Sequence, residues 1–156
     1  MKIKNVFIFL LSVLLPTMAI RVVSDHFTLG LNESESLPQT LFVIKKGASK
    51  FERGEYVVFQ KQSKSLNAKP FIKKVVGIAG DEVRVRDRDF FINGKFIGTA
   101  KDYSKAGVLT KKTKSGVIPE GRYFVYAPHK DSFDSRYEEV GWVSSSEVVG
   151  HAYPIY

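Results

Sequence analysis

Residues 6–20 read VFIFLLSVLLPTMAI, almost wholly apolar, with Lys2 and Lys4 before them and Arg21 behind. No other stretch limits the fold as sharply. Fifteen residues of helix span about 22 Å at 1.5 Å per residue, which is short of a ~30 Å hydrocarbon core. Length alone therefore fits the apolar part of a cleavable signal peptide as well as a membrane anchor. Val22 and Val23 can extend the run while Arg21 snorkels toward the headgroups. The best small-residue cleavage pattern, Thr17-Met18-Ala19, is followed by Ile20 and Arg21 and is poor. Residues 1–23 are accordingly expected to be an uncleaved anchor. The positive flank keeps the N-terminus in the cytoplasm, and residues 24–156 form the exported part.

Beyond the anchor the pattern is β. LFVIK (41–45), EYVVFQ (55–60), FIKKVVGI (71–78), EVRVR (82–86) and RYFVYA (122–127) are short runs of branched and aromatic residues, separated by glycines, charges and Pro/Asn-containing loops. FFINGKFIG (90–98) places Asn93-Gly94 between two apolar pairs, the strongest short hairpin signal. EVVGHAYPIY (147–156) is expected to be a closing strand whose end Pro154 puts at a sheet edge. Residues 99–117 are polar and predict a long mobile loop or a ragged hairpin. At 156 residues the chain makes one domain. The expected fold is mainly β: a compact antiparallel β-domain on one N-terminal transmembrane helix.

The net charge of +8 raises nucleic acid as a partner. Lys2, Lys4 and Arg21 belong to the anchor, and the other 21 Lys and Arg against 16 Asp and Glu leave +5. Those positives cluster in loops such as KQSKSLNAK (61–69) and KKTK (111–114), with no zinc-finger, helix-turn-helix or RNA-binding aromatic pattern beside them. A solvated basic surface, with no specific nucleic-acid partner, is the preferred reading. Cysteine is absent, which removes disulfides, thiol nucleophiles and cysteine metal sites together.

Two segments are odd for a purely structural β-domain. In NESESLPQTLF (32–42) two serines one residue apart precede Pro38 and a strand; alone, this is an ordinary turn. In FIKKVVGIAGDEV (71–83) two lysines interrupt an apolar strand. Phe71, Lys73 and Val75 share one face, and Ile72, Lys74 and Val76 the other. Both faces are otherwise apolar, so one lysine is expected to be buried, and the pattern leaves open which. Burial disfavours the ammonium form. An ordinary lysine is only about 0.1% neutral at pH 7.4, whereas lowering its pKa by about 3 makes it a competent base.

Taken together, these segments resemble the type I signal peptidases, a serine/lysine peptidase family. Ser34-Glu35-Ser36-Leu37-Pro38-Gln39-Thr40-Leu41-Phe42 is similar to the family's serine box. The proline directly after Leu37 is closest to the form found in TraF-type conjugal-transfer and pilin-maturation peptidases. ERGEYVVFQ (52–60) resembles the Arg-Gly-Asp box and FIKKVVGIAGDEV the lysine box. SFDSRY (132–137) resembles the Ser-x-Asp-Ser-Arg box, and VVGHAYPIY the closing strand. Leu37 stands where Met is usual, Ala79 where Pro is usual, and Ala127-Pro128-His129 where Gly-Asp-Asn is usual.

The resemblance implies that Ser36 is the nucleophile and Lys73 its general base, the Ser–Lys variant of the triad. It further implies that the Ser36 N–H and the Ser34 hydroxyl stabilise the oxyanion and that Ser132 orients the Lys73 amine. Asp134 and Arg136 form a structural ion pair, and no cofactor or metal takes part. The implied partners are membrane lipid and an exported precursor protein. That precursor is expected to be a dedicated substrate such as a conjugative pilin, with cyclisation as one outcome, or alternatively any secretory protein bearing a signal peptide. The implied place is a bacterial inner membrane, crossed once, with the catalytic domain outside the cytoplasm. A His129–Asp131 pair could serve a Ser–His–Asp mechanism, but no Gly-x-Ser-x-Gly elbow accompanies it. A non-enzymatic anchored β-module scaffolding an envelope assembly, with Ser36 an ordinary turn residue, is the competing class, and Lys73 set among apolar neighbours argues against it.

Overall fold

The computed structural model describes residues 3–48, 50–61 and 69–155. Helix α1 runs Ile3–His26 and passes without a break into β1 (Phe27–Leu31). It exceeds the expected anchor by three residues, and at 1.5 Å per residue its 24 residues reach about 36 Å, enough for a bilayer core. Within it, Ile8–His26 has a mean hydropathy of 1.7 and is long and apolar enough to cross a membrane. Its last turn is tied down where Lys46 Nζ donates to the Ser24 carbonyl (3.0 Å).

The strands that follow are β2 (Leu41–Lys46), β3 (Tyr56–Phe59), β4 (Phe71–Gly77), β5 (Glu82–Arg86), β6 (Asp89–Ile92) and β7 (Lys95–Thr99). Then come β8 (Gly116–Val117), β9 (Arg122–Tyr126), β10 (Val143–Ser144) and β11 (Val148–Pro154). They form two sheets. The larger has the order β1-β2-β11-β3-β4-β9-β10 and the smaller the order β7-β6-β5-β8. Every pairing is antiparallel. The expected mainly antiparallel β-fold with one N-terminal apolar helix is the fold observed.

At the β6–β7 turn Asn93 and Gly94 have φ of 49° and 80°, the positive values that a two-residue hairpin with native strand twist requires. One cluster, centred on Val57, Phe59, Val75, Val125 and Val143, lies under the large sheet. A second, with Val83, Phe90, Ile118 and Phe124, joins the two sheets. There Gly77 makes room: a Cβ would stand 2.7 Å from Ile118 Cδ1. Trp142 packs at the margin of this second cluster. Asp81 braces the lysine-box turn. Its burial favours the neutral acid, but hydrogen bonds from Arg53, the Ile78 N–H and Asn93 outweigh that and hold the carboxyl below its usual value.

The closing strand β11 lies between β2 and β3, and only its end, at Pro154, is at an edge, as expected. Pro154 is tolerated because β3 stops opposite Ala152, and only β2 continues to Phe42. Of the two forms expected for residues 99–117, the ragged hairpin is the nearer. Tyr103 bridges Leu109, Lys112 bridges Tyr137, and Gly116–Val117 joins β5. The segment 27–31 is a strand that the sequence reading left out. Of the basic cluster at 61–69, residues 62–68 lie outside the described residues.

Candidate active site

Strand β4 decides which lysine is inside. Its burial alternates so that Lys73, Val75 and Gly77 are buried while Lys74 is exposed. Lys73 stands opposite Val57 on β3, a fully buried residue. Lys74 instead lies with its Nζ 5.7 Å from the centroid of the Tyr56 ring. Lys73 is 4% exposed. Burial lowers its pKa to about 8, with Asp134 opposing that shift and Arg136 adding to it. At pH 7.4 about a fifth of such amines are neutral, some two hundred times the ordinary fraction.

The serines lie on the loop joining β1 to β2. Asn32 N donates to the Thr40 carbonyl (2.8 Å) and closes this loop at its base. Leu37 anchors the far side by packing with Phe42, Ile44, Val58, Ala127 and Ala152. The role expected of a Met at this position is thus filled by an apolar side chain of similar size. Ser36 is held at 4% exposure beside it. Ser34 Oγ and Ser36 Oγ are 2.8 Å apart, and Ser34 Oγ donates to Asn32 Oδ1 at 2.9 Å.

The third element is the segment 132–136 after β9. Arg136 and Asp134 make a two-pronged ion pair, Nε to Oδ1 at 2.8 Å and Nη2 to Oδ2 at 3.0 Å. Asp134 is fully buried and Arg136 is 3% exposed. A buried pair is sustained only when the remaining donors and acceptors are satisfied, and here they are. Asp134 Oδ2 also accepts from the Ala127 N–H (3.1 Å), while Arg136 donates to the carbonyls of Thr99 (2.7 Å) and Ser132 (3.2 Å). Its guanidinium lies 4.8 Å from the Tyr126 ring centroid. Ser135 completes the brace, with its Oγ accepting from Val125 N and its N–H donating to Val125 O. The ion pair therefore fixes the Ser132 backbone. The Ser132 hydroxyl is buried and, among the described residues, has no hydrogen-bond partner.

These three elements converge on one cavity of about 170 Å³. Ser34, Ser36, Lys73 and Ser132 line it together, with Phe71 and Phe133 as apolar walls. All four residues expected near the reaction are thus brought together, and Asp134 and Arg136 lie behind them. Glu35, Lys105, His129 and Asp131 complete the lining. His129 has no triad geometry. Its Nδ1 accepts the Asp131 backbone N–H (3.2 Å), its Nε2 lies 3.7 Å from Glu35 Oε2, and the Asp131 carboxylate is taken by Lys101 and Lys105. Among the described residues, no three His, Asp or Glu side chains cluster as a metal site would need. Asn32 and Ser135 were not singled out by the sequence reading. Asn32 had a faint signal, a carboxamide two residues before a site serine. Ser135 had none beyond its membership of a box.

A family model described as "Signal peptidase, peptidase S26" matches residues 2–156. Signal peptidase I of Bacillus licheniformis is 30% identical over 122 residues, covering 72% of this chain and 63% of that one. Probable signal peptidase I-2 of Synechocystis sp. is 33% identical over 112 residues, covering 65% and 46%. A crystal structure of a signal peptidase I from Enterococcus faecalis V583 aligns at 26% identity and a TM-score of 0.42, over 67% of this chain and 98% of that one. The chain therefore spans 63% and 46% of the length of these two sequence relatives.

Proposed function

Since the chain belongs to the signal peptidase family, peptidase S26, we propose that it is a membrane-bound serine endopeptidase that cuts exported precursors with Ser36 and Lys73. The observation that carries this reading is the Lys73 amine, buried and lowered to about 8, in the same cavity as Ser36. Neutral Lys73 Nζ takes the proton as Ser36 Oγ attacks the scissile carbonyl carbon. The oxyanion that forms is met by the Ser36 N–H and the Ser34 hydroxyl, each donor worth about 10²–10³ in rate. As the C–N bond breaks, the lysine ammonium returns its proton to the departing amine. Water then resolves the acyl-enzyme, again through Lys73. The Ser132 hydroxyl, which lines the same cavity without a partner of its own among the described residues, is the group left to orient the lysine amine, and the Asp134–Arg136 pair holds the segment that carries it.

The substrate best supported is a precursor bearing a signal peptide, because the relatives are named signal peptidase I. A second reading, maturation of one dedicated precursor such as a conjugative pilin, rests on the TraF-like order Ser36-Leu37-Pro38. In that case the precursor's own amine can replace water and give a cyclic product. Residues 1–23 serve as the anchor with residues 24–156 outside the cytoplasm of a bacterial inner membrane. Lipid also meets the exposed apolar side chain of Leu29, which lines a cavity with Ile20 and Val23 at the end of α1. The test is co-expression with a candidate precursor, read by mass spectrometry. Ser36→Ala and Lys73→Ala are expected to abolish cleavage while Lys74→Ala keeps most of it. A dead Lys74→Ala beside an active Lys73→Ala would overturn the assignment.

A further inference from the structure

The Asn32 carboxamide has one possible orientation. Its Nδ2 lies 3.1 Å from both the Leu37 and the Gln39 carbonyl oxygens. Carbonyls only accept, so both Nδ2 hydrogens are committed to them and Oδ1 is left to accept. The atom facing Oδ1 is Ser34 Oγ, at 2.9 Å. Ser34 has a single hydroxyl proton, and that contact takes it; turned elsewhere, it would leave two acceptors facing each other. Ser34 Oγ can then meet Ser36 Oγ, 2.8 Å away, only as an acceptor. The chain of donors thus runs in one direction, from Ser36 to Ser34 to Asn32.

We propose that Asn32 is a positioning residue for the reaction, orienting the Asn32–Ser34–Ser36 chain so that Ser34 is a proton switch between the resting and the reacting enzyme. This rests on the Ser36/Lys73 reading above. In the resting state the Ser36 proton points at Ser34 and the Ser34 proton at Asn32. For attack, the Ser36 proton turns from Ser34 toward Lys73. As negative charge develops on the substrate carbonyl oxygen, the Ser34 proton leaves Asn32 Oδ1 for that oxyanion. No proton is gained or lost by the chain; two hydroxyls rotate. Asn32 keeps its two bonds to the Leu37 and Gln39 carbonyls throughout. In the resting state Ser34 Oγ is thereby held beside the nucleophile, and the freedom of an unheld hydroxyl is removed before the reaction begins.

The test is a double-mutant cycle on the full chain in detergent, with kcat and KM measured on one peptide substrate and melting temperatures recorded alongside. Asn32→Ala is expected to lower kcat roughly tenfold or more with KM little changed, because the loss falls on the transition state. In a Ser34→Ala background the same substitution is expected to change kcat less than about twofold. Loss of the loop's bonds alone would instead reduce kcat by the same factor in both backgrounds. That equal loss, or no loss with Ser34 present, overturns the proposal. If Asn32→Ala melts too low to assay, Asn32→Gln enters the same cycle. It keeps a carboxamide for the loop carbonyls, but its extra methylene displaces the acceptor oxygen from Ser34, so a kcat loss is again expected only where Ser34 is present. Activity surviving in Ser36→Ala would refute the underlying reading separately, whatever the cycle gives.

Discussion

Replacing Lys73 with methionine is expected to make the protein more stable while it destroys cleavage. A lysine bound more weakly to its proton in the folded chain than in the unfolded chain opposes folding wherever the unfolded chain is protonated. For Lys73 the ordinary value is 10.5 and the native one about 8. Below about pH 8 the full cost is present, and between 8 and 10.5 it fades as the unfolded amine also loses its proton. The separation corresponds to about 3 kcal/mol. Little screening relieves it, since the side chain is 4% exposed. Methionine has similar length and no charge to desolvate, and its flexible thioether suits an irregular cavity. Asp134 keeps its partner Arg136, so no charge is orphaned. At pH 7 the variant should gain about 3 kcal/mol, or about 10 °C in melting temperature for a domain of this size. The assay is thermal or urea unfolding of both proteins in the same detergent at pH 7.0 and pH 9.5. The advantage should shrink at the higher pH because the wild type gains stability there. A variant no more stable than wild type at pH 7, or an advantage independent of pH, refutes a buried, weakly basic Lys73.

If neutral Lys73 is the base, kcat/KM rises with pH along an ionisation near 8. His129→Ala should leave that limb in place, since His129 Nδ1 accepts the Asp131 N–H and its Nε2 lies beside Glu35; loss of the limb would point to a histidine base. Asp134→Asn leaves Arg136 as an uncompensated buried cation and should destabilise the fold by about 3–5 kcal/mol, read by urea unfolding. Gly150→Ala drives a Cβ into the Lys45 carbonyl where β11 meets β2 and should cost about 1–3 kcal/mol in the same assay.

The strands legible in the sequence were those whose own residues carry the signal. Phe71–Gly77, Arg122–Tyr126 and the Asn93-Gly94 hairpin are dense in branched and aromatic side chains or use turn residues with positive φ. Phe27–Leu31 was not legible because FTLGL follows a helix without any turn residue, and its apolar side chains face outward. What makes it a strand is Leu41–Lys46, which pairs with it across the serine loop. Strand order was hidden for a similar reason. The insertion of β11 between β2 and β3 depends on contacts about a hundred residues apart in sequence, and Pro154 marks only the end of the strand, where β3 has stopped.

The same division runs through the site. Period-2 alternation established that Lys73 and Lys74 point to opposite faces, yet it could not tell which face was covered. The answer is supplied by segments remote in sequence: Val57 on one neighbouring strand, and Ser132 and Phe133 on the segment after the other. Those segments are held in place by the Asp134–Arg136 pair, whose bonds reach Ala127, Thr99 and Ser132. The weak basicity of Lys73 is therefore a property of the whole packed sheet. A lysine in the same local sequence, FIKKV, facing the other way stays exposed over Tyr56. The serine loop reverses the lesson. Its donors and acceptors lie within nine residues, from Asn32 to Thr40, so every contact was local. It went unread because a carboxamide's two ends do different work only once their partners are placed.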